Sequence, residues 1–129
     1  MCSVGVVSIV DDDESVRLAT ESVVRVLGWR TRTFVSAEEY LQWAQAGEGA
    51  TACLISDIRM RGMSGLEMHA SLVARGAAPP TIFVTAFPTD SLRAQVAARG
   101  AFGLLEKPIN IAALTQHLTK ALGSPPTRS

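Results

Sequence analysis

The sequence has little that would tie it to a disulfide scaffold, a membrane or a nucleic-acid backbone. It holds two cysteines, Cys2 and Cys53, too few for a disulfide framework. Cys53 stands in an apolar, strand-like run and reads as a small buried hydrophobe, and Cys2 sits near the terminus. Its longest apolar runs, such as Val4–Val10 and Ala52–Ile55, are far too short to cross a bilayer. The N-terminus lacks the basic start and long apolar stretch of a secretion signal, so a cytoplasmic location is expected. Twelve basic residues balance twelve acidic ones, and a net charge of zero gives no general attraction for phosphate backbones. No direct nucleic-acid contact is therefore expected of this segment. A glycine-rich phosphate loop and a nucleophile elbow are both missing, which leaves nucleotide and ester hydrolysis without support. The two histidines, His69 and His117, have no second metal-type ligand at helical spacing and read as exposed or packing residues.

What is present is an alternation of short apolar runs with segments of helical period. At 129 residues, with 47% hydrophobic and 19% charged residues, the chain suits one globular core, expected over 1–122 with a linker-like tail at 123–129. Val4–Val10 is β-branched and continuous, as in a strand buried on both faces. Val16, Thr20, Val23 and Leu27 follow at helical spacing up to Gly28. Arg30–Phe34 predicts a second strand. Ser36 and Glu39 predict a capping box for a helix with Tyr40, Leu41 and Ala44 inside. Ala52–Ser56 is the third predicted strand, before a helix over about 65–75 that carries Leu66, Leu72 and Val73. Thr81–Thr85 is the fourth, before a helix over about 90–99. Ala101–Glu106 is the fifth, before a helix marked by Ile111, Leu114, Leu118 and Leu122. Trp29, Phe34, Trp43, Phe83 and Phe102 read as packing residues. Five such alternations imply a parallel sheet covered by helices on both faces.

In an open parallel sheet, ligands bind outside the carboxyl ends of the strands. The first predicted strand runs into Asp11, Asp12 and Asp13, the third ends at Asp57, the fourth at Thr85 and the fifth at Glu106-Lys107-Pro108. Asp13 and Glu14 suit the start of the following helix. The remaining acids repel one another by about 4 kcal/mol per pair at roughly 4 Å and an effective dielectric near 20. Gathering them requires a cation, a proton or a nearby ammonium group. Oxygen donors with no histidine or cysteine close by suit a hard ion such as magnesium. With the Lys107 ammonium and the Thr85 hydroxyl, they make up the parts needed for phosphoryl transfer to a carboxylate.

The segments Ile9-Val10-Asp11-Asp12-Asp13-Glu14, Ile55-Ser56-Asp57-Ile58-Arg59-Met60 with Met63-Ser64-Gly65, Val84-Thr85-Ala86 and Glu106-Lys107-Pro108 resemble receiver domains of bacterial two-component systems. The resemblance runs from about Val4 to Leu122, and the last two segments match a subgroup often linked to helix-turn-helix output domains. It implies a flavodoxin-like, doubly wound α/β fold: a five-stranded parallel sheet of order 2-1-3-4-5 with five helices. It implies Asp57 as phosphoacceptor, Asp12 as a direct magnesium ligand, Asp11 as one acting through water, and the Arg59 backbone carbonyl as a further ligand. Thr85 matches the switch hydroxyl, Lys107 the phosphoryl-contacting lysine, and the Lys107–Pro108 bond is expected to be cis. The implied partners are a sensor histidine kinase, a C-terminal DNA-binding output domain in a longer chain, and a second copy on phosphorylation. The function so implied is a phosphorelay switch that promotes only its own phosphorylation and dephosphorylation.

Three positions depart from the family's pattern. Arg61 and Gly62 stand where proline usually follows Met60, which predicts a more mobile loop. Leu104 replaces the aromatic residue commonly found three before the lysine. Arg59 stands where a magnesium-dependent aspartyl phosphohydrolase of the same fold, the alternative reading, would need a second acid. Arg59 and Phe87, two past the acceptor and two past the threonine, are expected to flank the path of attacking water.

Overall fold

In the computed structural model, which describes residues 5–47 and 49–123, strands and helices alternate along the whole described chain. The order is β1 (Val6–Val10), α1 (Glu14–Val26), β2 (Thr31–Phe34), α2 (Ala37–Ala46), β3 (Thr51–Asp57), α3 (Gly65–Ala74), β4 (Thr81–Thr85), α4 (Asp90–Ala98), β5 (Gly103–Glu106) and α5 (Ile111–Leu122). The strands form one parallel sheet of order β2-β1-β3-β4-β5. This is the expected doubly wound fold with its five helices. Cys2, Val4 and the tail beyond Gly123 lie outside the described residues.

Side-chain alternation along the central strands divides the core in two. Val7, Ile9, Cys53, Ile55, Ile82 and Val84 point to one face, where Val24 of α1 and Leu114 and Leu118 of α5 close over them. Burial pushes the Cys53 thiol up to about 12, so it stays protonated and packs as a hydrophobe. On the other face, Val10, Phe34 and Leu54 pack with Tyr40 and Leu41 of α2 and Met68 and Leu72 of α3. Farther along that face, Phe83 meets Val96 of α4, Ile58, and the half-buried Leu66, Leu92 and Leu104.

Capping explains where the helices begin. Asp13 caps α1, its carboxylate accepting from the Ser15 and Val16 amides at 3.0 and 3.2 Å. Ser36 caps α2 as expected, but Glu39 does not close the box: its carboxylate accepts from the Val35 amide instead. The reciprocal box is at α3, where Ser64 and Glu67 bond each other's backbone. The inner stripe of α3 also differs from expectation. Met68, His69 and Leu72 face the core, and Val73 is 55% exposed because it falls one position past that stripe. Ile111 likewise faces outward at the open first turn of α5. Strand β5 begins at Gly103 rather than Ala101, although the Phe102 amide already donates to the Thr81 carbonyl. Both histidines pack: His69 is buried edge-on to Phe83, and the His117 ring lies over Gly103.

Candidate functional site

The C-terminal ends of β1, β3, β4 and β5 meet at one rim. Register brings Val10 beside Ser56, Asp57 beside Val84, and Thr85 beside Glu106, so the residues that follow or end each strand become neighbours. Asp11 follows β1 with its amide still bonded to the Phe34 carbonyl, and Asp12 begins the turn into α1. Asp57 is the last residue of β3. The next backbone links, Ile58 amide to Val84 carbonyl at 3.0 Å and Lys107 amide to Thr85 carbonyl at 2.9 Å, continue the sheet past the strand ends.

The loop after Asp57 turns back tightly. The Gly65 amide donates to the Ile58 carbonyl at 2.9 Å, and a Cβ on Gly65 would lie 2.2 Å from the Asp57 carbonyl oxygen. Only glycine allows α3 to start this close to the acceptor strand.

Asp11, Asp12 and Asp57 each present a carboxylate oxygen within 4.8 Å of the others. The Lys107 Nζ lies 3.2 Å from Asp11 Oδ2 and 3.2 Å from Asp57 Oδ2, with a Lys107–Pro108 bond that is cis. Burial, and then the neighbouring Asp11 charge, push the Asp57 carboxyl up to about 6, with Lys107 pulling against them. Burial works to lower the Lys107 ammonium, but the Asp57 and Asp11 carboxylates outweigh it and hold Lys107 above its ordinary value. The rim is therefore short of positive charge: one ammonium group faces two buried carboxylates. A donor set made only of oxygens, at this spacing and with no histidine or thiol, fits a hard divalent ion such as magnesium.

Thr85 is buried at the end of β4, and its hydroxyl accepts from the Phe87 amide at 3.2 Å. Arg59 sends its guanidinium over the Phe87 ring, 5.9 Å from the centroid, so these two residues meet across the mouth of the site. Sequence reasoning missed two residues here. The Arg61 amide donates to Asp12 Oδ2 at 3.0 Å, and the Met63 amide to Glu38 Oε2 at 3.0 Å. The loop expected to be mobile for want of proline is thus fastened at two amides. Glu38 lies 25 positions from Met63 in sequence, beyond any local pattern, whereas the lost proline at Arg61 was itself a signal.

A family model described as the response regulator receiver domain matches residues 7–119. The chain belongs to that family. This receiver domain is 41% identical over 107 residues to the C4-dicarboxylate transport transcriptional regulatory protein DctR of Rhodobacter capsulatus, covering 81% of this chain and 53% of that one. It is 33% identical to the transcriptional regulatory protein FixJ of Azorhizobium caulinodans, covering 91% of this chain and 54% of that one. The chain spans about half the length of these curated relatives. Among solved structures, a response regulator receiver protein from Burkholderia phymatum matches with a TM-score of 0.82 and 33% identity, covering 94% of this receiver domain and 97% of that chain. Among the described residues, no helix is long and apolar enough to cross a membrane.

Proposed function

We propose that this receiver domain is a phosphorelay switch in which Asp57 accepts a phosphoryl group from a phosphohistidine of a sensor kinase. The observation that carries the reading is the convergence of Asp11, Asp12, Asp57 and Lys107 at one rim. An Asp57 carboxylate oxygen attacks phosphorus in line; the P–O bond forms as the P–N bond breaks, and the imidazole leaves with a proton. Magnesium held by Asp12, Asp57 and the Arg59 carbonyl, with Asp11 acting through water, supplies positive charge to the phosphoryl oxygens. Lys107, already held between the two carboxylates, turns to a phosphoryl oxygen. The buried Thr85 hydroxyl gives up its bond from the Phe87 amide and donates to another. The β4–α4 loop moves with it, shifting the population toward a form recognised by an output domain or a second copy.

The output is transcriptional in this reading, through a DNA-binding domain in a longer chain, as the regulators it resembles are named. The receiver itself makes no nucleic-acid contact and works in the cytoplasm. The phosphohydrolase alternative is disfavoured because Arg59 stands where the second acid would be and engages Phe87 instead. Incubation with acetyl phosphate and magnesium, followed by intact mass, tests the proposal. One phosphoryl group is expected on the native chain and none on Asp57→Asn. A native chain that gains nothing, or a variant that gains as much, overturns it.

A further inference from the structure

The three rim carboxylates are not answered by the same cation. Asp11 and Asp57 share Lys107, while Asp12 is answered by Arg61, whose Nε lies 3.4 Å from Asp12 Oδ2. The Arg61 amide reaches the same oxygen at 3.0 Å, a bond that proline, the family's usual residue here, cannot make because it has no amide hydrogen. Glu38 holds the same loop from the other side through the Met63 amide. The guanidinium side chain is 90% exposed and Asp12 is 23% exposed.

We propose that Arg61 is a built-in counter-cation for Asp12 that magnesium must displace, holding the site's magnesium affinity down. The inference rests on reading the rim as a magnesium site. The two contacts of Arg61 have different consequences. The amide sets the position of the carboxylate and is compatible with an ion on the other oxygen. The guanidinium is a positive charge beside the place a dication must occupy, and it stands on a long exposed stem that can swing away. An exposed pair of this kind shifts an equilibrium by a factor of about two to five. Arg61 then acts as a positioning and charge-setting residue.

Magnesium chloride titrated calorimetrically into the full chain, without phosphate and at low salt, tests this on native protein, Arg61→Lys, Arg61→Ala and Arg61→Glu. Arg61→Ala is expected to bind about two- to fivefold more tightly than native, Arg61→Glu more tightly still, and Arg61→Lys close to native. Thermal midpoints without metal should agree across the series, because the side chain packs on nothing. The differences should shrink as potassium chloride is raised. Arg61→Ala binding no more tightly than native, or an order that does not follow charge, overturns the inference while leaving the magnesium site standing. A native chain that takes up no magnesium, or an Asp12→Asn variant that binds as well as native, overturns the magnesium reading itself and this inference with it.

Discussion

The two faces of the sheet are built differently. Under α1 and α5 the core is one unbroken apolar body, from Val7 and Ile9 through Ile55 and Val84 to Leu114 and Leu118. Under α2, α3 and α4 it is split into an aromatic cluster around Phe34 and Tyr40 and a smaller one around Phe83. Near the Phe83 cluster, His69 is buried with an Nδ1 that has no hydrogen-bond partner, the only such buried side-chain atom among the described residues. A close-packed face resists displacement, whereas a divided face holding an unsatisfied polar atom has less to lose by rearranging. Rigidity is lodged on one side of the sheet, and the side facing α3 and α4 is free to respond to what happens at Asp57.

The largest test of that contrast is Leu114→Ala. Leu114 is fully buried on the unbroken face, so the loss should be about 3 kcal/mol, read as a lower urea midpoint at unchanged slope. Leu104→Ala, on the divided face where that side chain is only half-buried, should cost clearly less. Equal losses would remove the distinction. Next in size is Asp57→Asn in the presence of a chelator. The buried Asp57 charge is unfavourable and only partly offset by Lys107, so the variant should be more stable by about 1–2 kcal/mol at neutral pH.

His69→Leu comes third, worth up to about 1 kcal/mol at neutral pH by removing the unpartnered nitrogen. Its clearer signature is in pH. Burial, and then the charge of Arg99, hold His69 below its ordinary value of 6.5. The unfolded chain therefore takes up a proton that the folded chain refuses, and stability is lost as pH falls through that value. His117 is lowered too, by burial and Lys120, so His69→Leu should reduce this acid loss without abolishing it. Urea melts between about pH 5 and 7.5 would show an unchanged pH slope if His69 played no part.

The smallest effect is kinetic. Arg59 and Phe87 stand together over the site, and replacing both with alanine should speed loss of the phosphoryl group by a factor of about two to five, under roughly 1 kcal/mol in the barrier. Decay followed by intact mass at an unchanged rate would mean that they do not shield it.

The sheet order and the meeting of Asp11, Asp12, Asp57, Thr85 and Lys107 were legible in the sequence because each stands at the end of a β-branched run. In a parallel sheet, all such ends share one edge. The helix interiors were read less well. Val73 and Leu72 are adjacent and both apolar, and only the packing of Met68 and His69 shows which one turns inward. The Ser36–Glu39 pair fits the capping pattern, yet Glu39 finds the Val35 amide instead, a choice set by where β2 delivers the chain. The loop from Arg59 to Met63 was least legible, since its anchors, Asp12 and Glu38, are distant in sequence and reach backbone amides, which carry no residue signature.

The closeness of Gly65 to the Asp57 carbonyl has a mechanical consequence. With no side chain between them and the Gly65 amide bonded to Ile58, the end of β3 and the first turn of α3 are riveted together, and the Ser64–Glu67 box stiffens that turn further. A strain introduced at the acceptor cannot be relieved by sliding α3 along the sheet. It is passed sideways, across the strand ladder to β4 and the hinge that begins at Thr85.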